Sequence, residues 1–218
     1  MRKIALVLLV LIVMLSMAPE AFAWSKSSAV SYADTYVLSP NPNWPNFYND
    51  GGDCTNFVSQ CLEYGGIAMD TVYTDRSKWY MVKNMFGAWI WGYPWTVAHD
   101  FYEYFRTSSR TASYRYFIGS YDWQSATSRP IPPDNNTSLN NGDIVSFNFD
   151  GDGDRDHNTI VVAQNSTDWE NSSYSGDLVD YHTPNKKHII WHLEYRIKQN
   201  GWLSTATVWA WGLSSSLN

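Results

Sequence analysis

The chain has 218 residues, of which 44% are hydrophobic and 17% aromatic, and its formal charge is -6. This length is enough for one domain with a substantial core. The acidic balance argues against a nucleic-acid partner, because phosphate binding needs a basic surface. Two cysteines are too few for a secreted fold that depends on disulfides.

Residues 1–23 have the pattern of a secretory signal peptide. Two basic residues precede an unbroken apolar run at 4–13, and Ala21-Phe22-Ala23 supplies small residues at a cleavage position. We therefore expect a secreted or cell-wall-associated protein whose mature part, residues 24–218, is a single domain. No later segment approaches the roughly 20 apolar residues that a membrane-spanning helix needs, so no integral membrane segment is expected after cleavage.

Helical spacing dominates the first half of the mature chain. It predicts one helix over Ser27–Val37, a second from Cys54 to Gly65, and a third over Pro94–Phe105. The stretch between the last two, residues 69–93, is aromatic and lacks a clear period. A polar loop is predicted at 120–141.

The period changes to alternation in the second half. Helices first and an antiparallel sheet afterwards make an α+β domain. A further amphipathic helix is expected to begin after Thr183-Pro184 and to end at Asn200-Gly201. Strands are predicted at residues 143–149, 158–164, 178–182 and 203–211.

The stretch from Gly51 to Gly66 places a thiol where a flexible turn becomes a helix. Asp53 can cap the first turn, so Cys54 is predicted to lie at the helix N-terminus, where the dipole and unpaired N–H groups favour a thiolate and lower the thiol pKa. A disulfide to Cys61 is excluded, because seven helical residues put the two Cα atoms roughly 10 Å apart. An inert buried cysteine is the alternative for Cys54.

The string D-C-T-N-F-V-S-Q-C-L-x-x-G-G-I, from Asp53 to Ile67, resembles the signature of the bacterial putative amidase domain family. That family belongs to the papain-like cysteine hydrolases, with the NlpC-type and CHAP cell-wall enzymes. The resemblance runs from about Ala29 to the C-terminus. Supporting motifs follow in the family's order at Trp95-Thr96, Gly142-Asp143-Ile144-Val145, Asp156-His157 and His182-Thr183.

The resemblance implies a papain-like fold, with the nucleophile Cys54 at a helix tip and the base His157 at the start of a facing strand. His182, on the next strand, is expected to orient the His157 ring, with Asp180 as the alternative because strand alternation puts it on the same face. Asp53 resembles the aspartate that receives a substrate amino group in NlpC-type relatives, although a simple helix cap is nearly as good an interpretation. No cofactor is expected.

Trp79 and Trp95 bound an aromatic cluster between the second and third helices, and we expect them to line a substrate groove, with ordinary packing as the alternative. No metal site is expected. Asp150, Asp152 and Asp154 have calcium-loop spacing without the required glycine and glutamate, and the i,i+4 pair His188 and His192 lacks the glutamate of a zinc protease motif.

These observations predict a secreted cysteine amidase or peptidase that cleaves an amide bond through a thioester, with a peptidoglycan peptide as the leading substrate. Two alternatives use the same residues differently. One is an acyltransferase in which an amine resolves the thioester. The other is a glycan- or peptide-binding module in which the thiol has no role. The oligomeric state does not follow from the sequence.

Overall fold

The computed structural model describes residues 24–109, 111, 115–122, 139–191 and 206–214, with the backbone alone for 118–122. The expected signal peptide, residues 1–23, lies outside these ranges. Within them the chain is an α+β fold in which helices come first and an antiparallel sheet follows. No helix among the described residues is long and apolar enough to cross a membrane.

The helices confirm the predicted pattern of the first half. Helix α1 is Lys26–Tyr36, α2 is Cys54–Tyr64, α3 is Tyr93–Thr96 and α4 is Ala98–Thr107. The third predicted helix is divided because Val97 has extended backbone angles, with φ -103° and ψ 124°. Helix α2 is buried on all sides from Cys54 to Leu62, which explains why its sequence carries Thr, Asn, Ser and Gln without an exposed charged face.

The aromatic stretch between α2 and α3 contains a short hairpin. Strand β1, Met81–Lys83, pairs with β2, Trp89–Trp91, in antiparallel register. The remaining six strands form one sheet in the order β3-β8-β4-β5-β6-β7, and every neighbouring pair is antiparallel. These strands are β3 Arg115–Asp122, β4 Ile144–Asn148, β5 His157–Thr167, β6 Ser175–Tyr181, β7 Lys186–Ile190 and β8 Thr207–Leu213.

Two predictions about the second half were wrong. Strand β3 extends into the range 120–141, which was expected to be a loop; residues 123–138 lie outside the described residues. Strand β7 replaces the helix expected after Thr183-Pro184, because Lys186–Ile190 pairs with β6 at the edge of the sheet. His192 lies outside the described residues. A half-buried edge strand tolerates the charged residues that resembled the polar face of a helix.

Each face of the large sheet carries its own apolar cluster. On one face, side chains such as Ile160, Val162 and Leu178 pack against the helices, including Phe57 and Val58 of α2. On the other face, Val161, Val179 and Tyr181 belong to a second cluster. Because side chains alternate along a strand, β5 presents Asn158 to the helices and His157 to the second cluster.

Gly92, between Trp91 and Tyr93, is the glycine with the least room, since a Cβ there would overlap the backbone carbonyl oxygen of Lys78. We predict that Gly92→Ala lowers the free energy of unfolding by about 3 kcal/mol, because backbone rather than a flexible side chain must move. Gly87→Ala is the control. It has a φ of +79° but open space around the Cβ, and should cost about 1 kcal/mol. Equal urea midpoints for the two variants would contradict the close approach.

Candidate functional site

Cys54 lies at the first residue of α2, entered through Gly51 and Gly52, whose φ angles of 96° and 114° favour glycine. Both cysteines are free, as expected, and Cys54 is 8% exposed. Its Sγ lies 3.7 Å from the Thr55 hydroxyl, and the backbone N–H groups of Thr55 and Asn158 also donate to it. The sulfur is therefore held between the helix tip and the start of β5.

Asp53 holds this helix tip to the sheet. Its Oδ2 lies 2.6 Å from Nδ1 of His182, while its Oδ1 accepts from the Phe47 backbone N–H and from the Asn56 side chain, each at 2.8 Å. The Asp53 N–H donates to the hydroxyl of Thr183 at 2.8 Å. The aspartate side chain makes no capping hydrogen bond to α2. The expectation of a side-chain cap was therefore wrong, although Asp53 does occupy the N-cap position.

His182 follows the last residue of β6 and has both ring nitrogens engaged away from His157. Nδ1 meets Asp53, and Nε2 lies 3.1 Å from the backbone carbonyl oxygen of Tyr36. The ring also stacks on Phe57, with centroids 4.1 Å apart. The hydrogen bond that we expected between His182 and His157 is thus absent from these described residues, because Asp53 is the partner that α2 brings to this face.

The pKa of Cys54 moves in the direction opposite to our expectation. Burial raises the pKa of the thiol above its usual value, and the neighbouring Asp53 carboxylate adds to the increase. Hydrogen bonds from Asn158 and Thr55 act in the other direction but do not outweigh the loss of water. At neutral pH the residue therefore rests as a thiol, and its reactivity depends on a base.

His157 is the first residue of β5 and precedes Asn158, whose backbone N–H donates to the Cys54 sulfur. Its ring contacts Tyr181 edge-to-face, with centroids 4.7 Å apart, and lies near Phe149. Nε2 is buried and makes no hydrogen bond to any described residue. Burial lowers the pKa of His157 to about 4, although the charge of Asp156 opposes this change. The imidazole is therefore neutral at ordinary pH. In this structure the described contacts include no hydrogen bond between it and Cys54.

A cleft of about 430 Å³ opens above Cys54 and Thr55. Its apolar walls come from Phe47, from β2 at Trp91 and from α3 at Tyr93. Charged groups of both signs complete it: Arg76, Arg155, Asp50 and Asp156. The cleft thus combines aromatic surface with separated charges above a buried thiol.

The expected groove residues Trp79 and Trp95 are not in this cleft; both are fully buried. Their indole N–H groups donate to Ser59 at 3.0 Å and Asn56 at 2.9 Å, so they pack on the back of α2. The two rings stack with centroids 4.8 Å apart. These positions were wrong, although the aromatic stretch they bound does supply Trp91. Asp53 likewise does not line the cleft and is 1% exposed, which contradicts a direct contact with a substrate amino group.

Arg155 is a cleft residue that the sequence analysis missed. Its guanidinium lies 3.9 Å from the ring centroid of Tyr102 and 4.2 Å from that of Trp209, so two aromatic faces fix its orientation. Its place beside the Asp156-His157 motif was the only available signal. Asn158 was missed as well; its side chain donates to Thr55 at 3.2 Å, and its backbone meets the sulfur.

Asp180 does not act on His157. It lies on the helix-facing side of β6, fully buried, and its Oδ1 accepts the backbone N–H of His188 at 2.6 Å. The exposed turn of Asp150, Asp152 and Asp154 is stabilised by its own side chains, which accept backbone N–H groups two residues on. These three carboxylates do not converge on a common point among the described residues.

Comparison with known proteins gives a family and one curated relative. The family described as "Putative amidase domain" matches residues 23–205. A relative named "Uncharacterized protein YhbB", from Bacillus subtilis (strain 168), is 33% identical over 145 residues. That alignment covers 66% of this chain and 39% of the relative, so the match spans less than half of the relative's length. No solved structure gives a significant match.

The buried Asp53–His182 pair supports a stability prediction. Asp53→Ala and His182→Ala should each lower the free energy of unfolding by about 3 kcal/mol, because each leaves a buried polar partner without its hydrogen bond. The double variant should cost less than the sum of the two, by about 1 kcal/mol or more. Urea unfolding measures both quantities.

The matched control is the surface pair of Lys186 and Glu170, 2.7 Å apart and partly exposed. Lys186→Ala should change stability by less than about 1 kcal/mol. Additive losses for Asp53 and His182 would contradict the coupling that the geometry predicts.

Proposed function

The chain belongs to the putative amidase domain family, and from that premise we propose that it is a hydrolase that cleaves an amide bond with Cys54 as the nucleophile. The observation that carries the proposal is a free thiol at a helix N-terminus on the floor of a cleft. Three donors surround its sulfur: the Thr55 hydroxyl and the N–H groups of Thr55 and Asn158.

The reaction follows from the resting state of these groups. The thiol proton passes to a neutral base, and the donors around Sγ stabilise the thiolate that results. As the thiolate attacks the amide carbonyl carbon, the negative charge moves to the carbonyl oxygen. The first backbone N–H groups of α2 have no partner within the helix and point out of its N-terminal end, where Cys54 lies. They can therefore donate hydrogen bonds to the negatively charged carbonyl oxygen. The C–N bond then breaks as the base protonates the leaving amine. Water hydrolyses the thioester to a carboxylic acid and restores the thiol.

His157 is our proposed base. It is neutral above about pH 4, its Nε2 is buried without a partner in the described ranges, and it adjoins Asn158. Its ring faces the second cluster in the free enzyme, where it contacts Tyr181 edge-to-face. A catalytic hydrogen bond often forms only with bound substrate, and we propose that the ring turns at the start of β5 to reach Cys54 when substrate binds. His182 has a positioning role, because it holds Asp53 and hence the first turn of α2.

Asp156 is the competing base. Alternation along β5 gives it the same face as Asn158, and it lines the cleft with Cys54. Burial raises the pKa of this carboxyl, and the nearby Asp150 and Asp152 charges act in the same direction, while the Phe149 N–H opposes them. A carboxyl with a raised pKa is a better proton acceptor than an ordinary one.

We propose a peptide as the substrate class. Trp91 and Tyr93 offer apolar surface to side chains, and Arg76 and Arg155 offer fixed positive charges for carboxylates, while Asp50 and Asp156 suit amines. A peptidoglycan peptide has such charges, and a secreted or cell-wall-associated location, as the pattern of residues 1–23 suggests, would bring the enzyme to it. Mass spectrometry of purified peptidoglycan after incubation with the protein would identify the new termini.

Cys54→Ala should abolish release of these termini while substrate binding changes little, because removing a nucleophile removes chemistry more than ground-state contacts. Cys61→Ala is the control, since Cys61 is fully buried in the core on the same helix; it should keep most of the activity despite some loss of stability. Undiminished turnover by Cys54→Ala would overturn the cysteine mechanism. Cleavage of other peptides but not peptidoglycan would overturn only the substrate.

His157→Ala should lower kcat by about a hundredfold or more, the usual contribution of a general base, whereas Asp156→Asn should lower it by less than about tenfold. In the wild type, kcat/KM should fall only below about pH 4, because the lowered pKa of His157 keeps it unprotonated above that value. A pH–rate profile and both variants measure this. If Asp156→Asn is inactive and His157→Ala nearly normal, Asp156 is the base.

A further inference from the structure

Away from the cleft, three side chains with metal-binding atoms converge at the edge of the sheet. Asp34 comes from α1, Asp180 from β6 and His188 from β7, and one ligand atom of each lies within 4.8 Å of the others. Nε2 of His188 is 2.6 Å from Oδ1 of Asp34, and the His188 backbone N–H donates to Oδ1 of Asp180 at 2.6 Å. The adjacent strands β6 and β7 therefore meet α1, which is distant in the sequence, at one point.

The second observation is the free oxygen of Asp180. This residue is fully buried, and its Oδ2 has no hydrogen-bond partner among the residues that the structure describes. A buried carboxylate oxygen without a partner is costly, and native proteins normally satisfy such an atom with a donor, a proton or a cation. Burial, together with the charge of Asp34, raises the pKa of Asp180 to about 7, which shows how poorly the surrounding protein stabilises its negative charge.

We propose that Asp34, Asp180 and His188 bind a divalent transition-metal ion. The ligand set selects this class: calcium and magnesium prefer oxygen ligands alone, whereas an imidazole with two carboxylates suits zinc and its neighbours in the first transition series. Ligands about 2.1 Å from one zinc ion lie about 3.5 Å apart. Asp34 is the most exposed of the three, with 38% of its side chain accessible, so it has the freedom to move from its 2.6 Å hydrogen-bond distance to His188 to the spacing of metal ligands.

The surroundings bear on the affinity of this site. Lys187 opposes a cation, because its Nζ is 3.5 Å from Oδ1 of Asp34 and also donates to the Asp34 backbone carbonyl. Cys61 lies near Asp180, whose charge adds to burial in raising the thiol pKa, but its sulfur is not among the converging ligand atoms. The ion would link α1 to β6 and β7. This proposal does not depend on the amidase function.

Zinc binding to the purified mature protein, measured by isothermal titration calorimetry near pH 7.5, tests the proposal. The wild type should bind one ion. Asp180→Asn, which keeps the shape and the acceptor for His188, should weaken binding by at least about tenfold, and so should His188→Asn. Asparagine suits position 188 because the φ there is 51°, and asparagine tolerates that region. Lys187→Gln should tighten binding several-fold, since it removes an opposing charge.

His99→Asn is the control, because His99 also pairs with one aspartate, Asp154, at 3.2 Å, but outside the cluster; its zinc affinity should equal that of the wild type. Cobalt(II) bound at the proposed site should show no thiolate charge-transfer band. Zinc should raise the Tm of the wild type and not that of the two ligand variants. Absence of binding at millimolar zinc, or equal affinity in the wild type and the ligand variants, would overturn the proposal.

Discussion

The contact between Asp53 and His182 is the constraint on which the rest of the site depends. These residues are 129 positions apart, and their side chains meet at 2.6 Å with almost no exposure. The same carboxylate also holds the Phe47 backbone and the Asn56 side chain. One buried acid therefore fixes the loop before α2, the first turn of α2 and the end of β6 together. The position of the Cys54 sulfur against Asn158 follows from that arrangement.

Burial has a cost for the proposed chemistry and a corresponding benefit. It raises the pKa of Cys54 and lowers that of His157, so the resting site holds no ion pair. A buried, uncharged thiol reacts slowly with stray electrophiles. Charge would appear only when substrate provides a carbonyl for attack, where donors already surround the sulfur. The buried site therefore keeps the thiol of the free enzyme protonated and unreactive instead of holding a permanent thiolate.

Periodicity predicted the parts of the fold that depend on local patterns. Helices α1 and α2 and strands β4, β5 and β6 are where the spacing indicated. The sequence did not reveal hydrogen-bond partners that depend on tertiary contacts. Asp53 had the features of a helix cap, yet its side chain hydrogen-bonds to His182. Trp79 and Trp95 were indistinguishable from Trp91 in a stretch without a period, and only their packing against α2 separates these two fully buried rings from the half-buried ring of Trp91. Strand β7 was missed because its pairing with β6 decides its conformation.

The two aspartate–histidine pairs on the helix-facing side show how the same contact can have different consequences. Asp53–His182 joins α2 to the end of β6, and Asp34–His188 joins α1 to β7, each at 2.6 Å. In the first pair every carboxylate oxygen has a partner within the protein, so the contact is complete and structural. Beside the second pair, Asp180 adds a carboxylate oxygen that no group in the described part of the chain satisfies. The Asp53–His182 pair therefore needs no further ligand, whereas the group of Asp34, His188 and Asp180 has room for a further positive charge.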